Sequence, residues 1–305
     1  MKIVLFSSSD FFIDGIYGAL SESKGGHKIS AVIYKEISPT LSQKLISSGV
    51  EVIRDAGFDD ENFNRMLKKY SADLFVVVSF GRIFTGEFFR LPAKGAVNVH
   101  FSALPSYRGA APVEWAIYNG EKETGITVFF INEKLDEGDI ILRRIFEIRP
   151  FETARVLRER LFALSSGILK EALDELSKPG FKAQPQKGKV SFAPLLRKEM
   201  GKVDFSADSA NMIFRKIIAF SDKINIYTFY RGKRVILKDA SETTDGGKED
   251  IKPGCVFEFV KGVGFKVRCT SGSLFVKEVK PEGGRQMSAF EFAIGQRITL
   301  GDIFK

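Results

Sequence analysis

The sequence predicts an α/β chain: a doubly wound, Rossmann-like sheet over the first half, then a small OB-like β-barrel. Three observations carry this. Apolar strand-like runs alternate with helix-length amphipathic stretches through the first 150 residues. The run Leu74-Phe75-Val76-Val77-Val78 is apolar without alternation, as a parallel strand covered on both faces must be. Beyond about Lys202 the pattern changes to short strands punctuated by Gly-containing turns.

The elements follow in order. Strands are expected over 2–7, 28–33, 50–53, 74–79 and 96–100, with helices over 11–21, 41–48, 60–70 and 112–119 between them. The turn after the first strand reads Ser7-Ser8-Ser9-Asp10, where a dinucleotide site would need G-x-G-x-x-G. That excludes a dinucleotide, and leaves Ser9 or Asp10 as a helix N-cap. Two more strands are expected over 124–131 and 140–148. A long helix over 151–177 presents Leu157, Leu161, Leu164 and Ile168 on one face. Lys178-Pro179-Gly180 then opens a polar stretch with the composition of a linker. The expected domains are 1–178, a linker over 179–201, and 202–305. In the last, a short helix (207–219) precedes strands over 225–230, 234–238, 254–260, 264–269 and 273–279, and a helix near 288–294 closes it.

The chain has 305 residues, 44% of them hydrophobic, enough for two cored domains. No apolar run approaches the roughly 20 residues of a membrane span. The start Met1-Lys2-Ile3-Val4-Leu5-Phe6 reads as a strand rather than a signal peptide, so a cytoplasmic protein is expected. Cys255 and Cys269 make neither a disulfide framework nor a metal site. Nothing in the sequence demands more than a monomer.

The chemistry concentrates between Asn98 and Asp139. Side chains alternate along a strand, so Asn98 and His100 share a face while Val97 and Val99 share the other. In open α/β sheets, ligands bind at the carboxyl ends of the strands. A Pro/Gly-rich loop follows His100, and Asp136 stands in a second loop 36 positions on. An amide, an imidazole and a carboxylate converging there suit acyl transfer to an amine. Asn98 and His100 would donate to the developing oxyanion, each such donor being worth about 2.7–4 kcal/mol. Asp136 would keep the histidine protonated, or carry a proton off the amine through a water. Histidine suits the role because its ordinary pKa lies near neutrality and a carboxylate raises it. A lone histidine at a strand end is ordinarily structural; Asn98 beside it and the Leu135-Asp136-Glu137-Gly138-Asp139 loop weigh against that here.

Charge separates the two halves. Residues 181–305 hold 23 Lys and Arg against 14 Asp and Glu, a net charge of +9, whereas residues 1–180 hold 23 against 24. A polyanion crossing the linker and barrel would use that field. The candidates are Lys182, Lys187, Lys189, Arg197, Lys198, Arg231, Lys233 and Arg234. No aromatic single-strand platform is evident, so contacts to an RNA backbone and its shape are expected.

The residues Asn98-x-His100, Ser102 to Pro105, Tyr107 to Pro112 and Leu135 to Asp139 resemble the 10-formyltetrahydrofolate-dependent formyltransferases. Arg108-Gly109-Ala110-Ala111-Pro112, with Trp115 behind it, is most similar to members that formylate methionine carried by initiator tRNA. The resemblance runs nearly the whole chain, since the family's C-terminal domain is also an OB-like barrel. It implies that Asn98, His100 and Asp136 are catalytic, and that 10-formyltetrahydrofolate is the formyl donor, with no metal. It places folate contacts at Arg82, Ile83 and Phe84, and at Ser102, Ala103, Leu104 and Pro105. Ile83 and Phe84 have a plainer reading as core. It implies initiator methionyl-tRNA as partner. Two departures stand out. The long basic loop usual after the second strand is shortened and lacks arginine, Ile33 to Pro39 running almost directly into the next helix, and the Pro/Trp-rich segment usual after the first helix of the second domain reads Ser221 to Ile226. The short loop keeps open a formyltransferase for a nucleotide-linked amino sugar. A catalytically silent RNA-binding protein is disfavoured by the intact trio.

Overall fold

The computed structural model describes residues 1–21, 26–82, 84–245 and 250–305. The chain divides into two compact units. The first comprises Met1–Pro112, Glu123–Glu147 and Val156–Pro194; the second comprises Val113–Lys122, Ile148–Arg155 and Leu195–Lys305.

In chain order the first part runs β1 (Lys2–Ser7), α1 (Asp10–Ser21), β2 (Lys28–Tyr34), α2 (Pro39–Ser47), β3 (Glu51–Arg54), α3 (Asp60–Lys68), β4 (Leu74–Val78), α4 (Gly86–Arg90), β5 (Ala96–His100), α5 (Pro112–Asn119), β6 (Glu123–Phe130), β7 (Ile140–Glu147) and α6 (Ala154–Leu176). The strands form one sheet in the order β3-β2-β1-β4-β5-β6-β7. The five from β3 to β5 are parallel, and β6 and β7 add as antiparallel strands. The order reverses between β1 and β4, which makes the carboxyl ends of the central strands the natural ligand crevice. This is the Rossmann-like sheet expected.

Helix starts follow local chemistry. Ser9 Oγ accepts from the Phe12 N–H at 3.3 Å, as an N-cap should. Ser38 caps α2 ahead of Pro39, and Asp59 caps α3 by accepting from Asn62 N at 2.8 Å. One face of the sheet is fixed by phenylalanines. Phe6 is fully buried, with Phe63, Phe75, Phe80, Phe84 and Phe88 around its ring at centroid distances of 5.2 to 6.1 Å. Each such edge contact adds about 0.5–1.5 kcal/mol beyond area burial. The apolar face of α6 differs from expectation at one place. Leu157 and Leu161 are fully buried, but Leu164 is 40% exposed. The small Ser165, four residues after Leu161, takes the buried place on that face, and its Oγ donates to Phe162 O.

The second unit contains α7 (Ala210–Phe220), β8 (Tyr227–Tyr230), β9 (Lys233–Thr243), β10 (Val256–Val260), β11 (Gly264–Arg268), β12 (Ser273–Pro281), β13 (Met287–Ser288) and α8 (Ala289–Gln296). Its antiparallel sheet is ordered β10-β11-β12-β9-β8, with β13 on β12. The β8–β9 hairpin turns on Arg231 and Gly232, both at positive φ, which suits the right-handed twist of the strands. The segment after α8 joins the two sheet edges. Lys305 exchanges two backbone hydrogen bonds with Phe229 of β8, while Phe304 N donates to Gly254 O and Val256 N donates to Asp302 O. Phe304 lies against Tyr230 and Phe265 at 5.0 and 5.3 Å. The sheet is thereby closed as a barrel. Trp115 and Tyr118 of α5 pack on Phe220 of α7 within this unit.

Among the described residues, no helix is long and apolar enough to cross a membrane.

Candidate active site

Strand β5 brings the first two residues to the crevice. Val97 and Val99 are buried on one face, and Asn98 and His100 point to the other, with Asn98 half-buried and His100 only 6% exposed. His100 Nε2 lies 2.9 Å from the Tyr107 carbonyl oxygen. A carbonyl only accepts, so Nε2 carries the proton and donates. His100 Nδ1 then faces Asp136 Oδ2 at 3.8 Å. That is ion-pair range, too long for a hydrogen bond. The structure thus brings the two ends of the expected trio together. Among the described residues, nothing hydrogen-bonds the Asn98 side-chain amide.

Asp136 stands in a strained conformation held by two hydrogen bonds. Its backbone takes a φ of 49°, a left-handed conformation that costs a non-glycine residue about 1 kcal/mol or more. Its Oδ2 accepts from the Gly109 N–H at 2.8 Å. Its carbonyl oxygen accepts from Gln186 Nε2 at 2.8 Å. Gly138 must be glycine, because a Cβ there would sit 1.6 Å from the Phe130 carbonyl oxygen. Gly109 is equally constrained: its φ is 122°, and a Cβ would sit 2.6 Å from Ala193 O.

The loop after His100 is fixed from below. Thr127 lies opposite His100 in the β5–β6 register. Its Oγ1 donates to Ser102 O at 2.7 Å and accepts from Leu104 N at 3.2 Å. Arg143, opposite Thr127 on β7, donates to Leu104 O at 2.6 Å. Ser102 and Leu104 are fully buried, and Ser102 Oγ donates to Ser106 O at 2.6 Å. Pro105 is buried and Ala103 half-buried. Of the four folate candidates here, Ala103 therefore offers the most side-chain surface.

The other folate candidates sit after β4. Ser79 and Gly81 have positive φ, which turns the backbone of this loop at the strand end. Arg82 is drawn to α3: it donates to Phe58 O and Asp60 at 2.9 and 2.8 Å, pairs with Asp55 at 3.4 Å, and covers the Phe63 ring at 4.1 Å. Its guanidinium is engaged within the loop's own scaffold. Phe84 stacks on Phe88 at 3.8 Å and belongs to the core face. Ile83 lies outside the described residues.

The polar stretch read as linker is partly fastened to the first unit. Gln184 exchanges two backbone hydrogen bonds with Ile140, and Ser191 and Ala193 pair with Arg108. Gln186 and Ser191 touch the loops that carry Asp136 and Tyr107; Ser191 Oγ accepts from Tyr107 N at 2.9 Å. Sequence reasoning passed over both, since each is one polar residue among others in a polar stretch. It also passed over Thr127 and Arg143.

All eight basic candidates, Lys182, Lys187, Lys189, Arg197, Lys198, Arg231, Lys233 and Arg234, are exposed. Arg231 pairs with Asp302 at 3.6 Å and Arg234 with Glu282 at 3.5 Å. Among the described residues, no carboxylate pairs with the other six. The two cysteines are free thiols, and burial pushes Cys269 up to about 12. Among the described residues, no group of His, Cys, Asp and Glu is arranged to hold a metal ion.

The sequence profile described as formyl transferase matches residues 1–173, and that described as formyl transferase, C-terminal domain, matches residues 195–297. The methionyl-tRNA formyltransferase of Caldanaerobacter subterraneus subsp. tengcongensis is 32% identical over all of both chains. That of Carboxydothermus hydrogenoformans is 33% identical, again over all of both. Among solved structures, HypX from Aquifex aeolicus in complex with tetrahydrofolic acid superposes with a TM-score of 0.65 at 18% identity, over 99% of this chain and 48% of that one. This chain thus spans about half the length of HypX. WlaRD, a sugar 3N-formyl transferase, superposes at 0.64 with 18% identity, over 91% of this chain and 97% of that one. These two likenesses concern the fold. With both profiles matched in order, and with relatives of this identity along its whole length, the chain belongs to the formyl transferase family.

Proposed function

We propose that this chain transfers the formyl group of 10-formyltetrahydrofolate to the α-amine of methionine on initiator tRNA. The observation that carries the reading is end-to-end similarity, basic second half included, to relatives named methionyl-tRNA formyltransferase, 32% identical over 100% of each chain in one case. The strand ends fit a formyl donor. Among the described residues nothing hydrogen-bonds the Asn98 amide, and positive φ at Ser79 and Gly81 turns the backbone of the loop after β4. When bound, the donor supplies an activated formyl carbon.

The residues of the chain do the rest. As the amine adds to that carbon, charge gathers on the formyl oxygen, and Asn98 donates to it. His100 already donates through Nε2 to Tyr107 O, so a second donation comes from Nδ1, which has a proton to give only in the imidazolium form, with Asp136 as the facing counter-charge. Asp136 accepts the proton that the amine sheds. A carbon–nitrogen bond to the acceptor forms, the bond to the donor nitrogen breaks, and the proton taken by Asp136 passes to that nitrogen. Asp136 cannot drift, because Gly109 holds its carboxylate and Gln186 its carbonyl. The trio lies within one unit of one chain, so a monomer suffices. On this reading residues 1–178 carry catalysis, and 179–201 with 202–305 carry the tRNA, the basic candidates meeting its backbone. The work is cytoplasmic.

A second reading has one observation in its favour: only residues 35–38 separate β2 from α2. Such a short connection leaves no long basic loop, as suits an acceptor that is a nucleotide-linked amino sugar. The test is to supply 10-formyltetrahydrofolate with methionyl initiator tRNA in one reaction and an amino-sugar nucleotide in another. Formylated methionyl-tRNA alone is the expected product; formylated sugar alone would replace the first reading with the second.

A further inference from the structure

We infer that Gln186 is a positioning residue for the Asp136 loop, acting from a segment that neither formyl transferase profile covers. The profiles end at residue 173 and resume at residue 195. Between them, Gln186 makes four hydrogen bonds around Asp136. Its Nε2 donates to the carbonyl oxygens of Asp136 at 2.8 Å and Gly138 at 2.9 Å. Its Oε1 accepts from Arg108 Nε at 3.2 Å and Arg108 Nη2 at 2.7 Å. Arg108 is 7% exposed and its Nη1 reaches Glu137 at 3.5 Å, one residue beyond Asp136.

A side-chain amide is the one group that can do this. Two carbonyls need two N–H donors, and a guanidinium needs an acceptor. The loop also needs the restraint. Asp136 stands at a φ of 49°, and its carboxylate must stay within 3.8 Å of His100 Nδ1 while Gly109 N holds the same oxygen. Gln186 thus joins the two catalytic loops: Arg108 precedes Gly109 on one, and Asp136 to Gly138 form the other. The segment itself is anchored, since Gln184 pairs with Ile140 just below and Ser191 with Tyr107 and Arg108 just above. Its neighbours Lys187 and Lys189 are exposed and basic, so an RNA lying on them would press on the strap that sets Asp136.

This inference rests on the formyl-transfer reading for its kinetic arm, and has a second arm that does not. Gln186→Ala and Gln186→Glu are compared with the unaltered chain. The glutamate keeps the acceptor for Arg108 but loses both donors to the loop. Expected are a fall in kcat of about 10- to 100-fold in both variants, as a shift of an ångström produces, with KM for methionyl-tRNA within about twofold. Hydrogen exchange should quicken at the amides of Gly109 and Ile140, with the melting temperature little changed. If Gln186→Glu kept full kcat, the two donors would be dispensable and the inference would fall. Unaltered exchange at Gly109 and Ile140 in the alanine variant would overturn it whatever the acceptor. An unaltered chain that formylates no methionyl-tRNA, with quickened exchange in the variants, would refute the substrate and leave the brace standing.

Discussion

The two nitrogens of His100 have different duties. Nε2 is spent on Tyr107 O, so the ring cannot rotate to offer it elsewhere, and Nδ1 alone faces Asp136. Replacing His100 with alanine removes the anchor and the donor together. Formylation is expected to fall by roughly 10²- to 10⁴-fold. The affinity for tRNA, measured by filter binding, should hold, because the basic residues lie elsewhere in the chain. Asn98→Ala should cost about 10²- to 10³-fold in single-turnover rate without altering donor affinity. A rate unchanged in either variant would remove that residue from the roles given it. Asn98, His100 and Asp136 were legible because their spacing is fixed by strand alternation and by a loop of set composition. Gln186 was not. Its partners are two backbone carbonyls and an arginine 78 positions away, and no residue pattern announces a bond to a carbonyl.

At the scale of elements, the sheet was readable and the fastenings were not. Strands β1 and β5 and helix α5 fall where the pattern put them, since buried parallel strands and proline-led helices write themselves into composition. The five-residue α4 escaped, being too short to show a period. So did the segment ending at Lys305 that closes the barrel, which pairs through backbone groups over a few residues. The close approach of the loop after β5 to residues 191–193 is likewise a matter of backbone. There Gly109 meets Ala193 O, and a methyl group would arrive at 2.6 Å. Gly109→Ala should therefore lift the loop off the strap, lengthen its bond to Asp136, and lower kcat by roughly tenfold or more. The change should exceed that of Gly18→Ala in α1, where a Cβ meets nothing within 4 Å. Equal rates in the two variants would show that the loop yields without cost.

Over the whole molecule, the charge asymmetry was plain from composition, whereas the grouping of the chain was not. Residues 113–122 and 148–155 are interleaved with sheet strands in sequence yet pack with the C-terminal half. Trp115 finds Phe220, a pairing no local pattern reveals. The net charge of +9 on residues 181–305 leads to a measurement. The KM for methionyl-tRNA should rise steeply with salt, and the KM for the folate donor much less. Alanine at Lys187, Lys189, Arg197 and Lys198 should flatten the logarithmic slope by about one for each phosphate no longer neutralised. An unchanged slope would mean these side chains meet no RNA.

The pairing of Trp115 with Phe220 also bears on how the chain is made. The two residues are 105 positions apart, so the aromatic face of α5 leaves the ribosome long before its partner exists. Residues 302–305, which close the barrel, come later still. The strands of the first sheet and the strap behind Asp136 are complete by residue 194. Vectorial synthesis therefore allows the chemistry to be assembled first, while an uncovered tryptophan and an open sheet edge wait for the remaining third of the chain. Translation is the interval in which this protein most needs a chaperone.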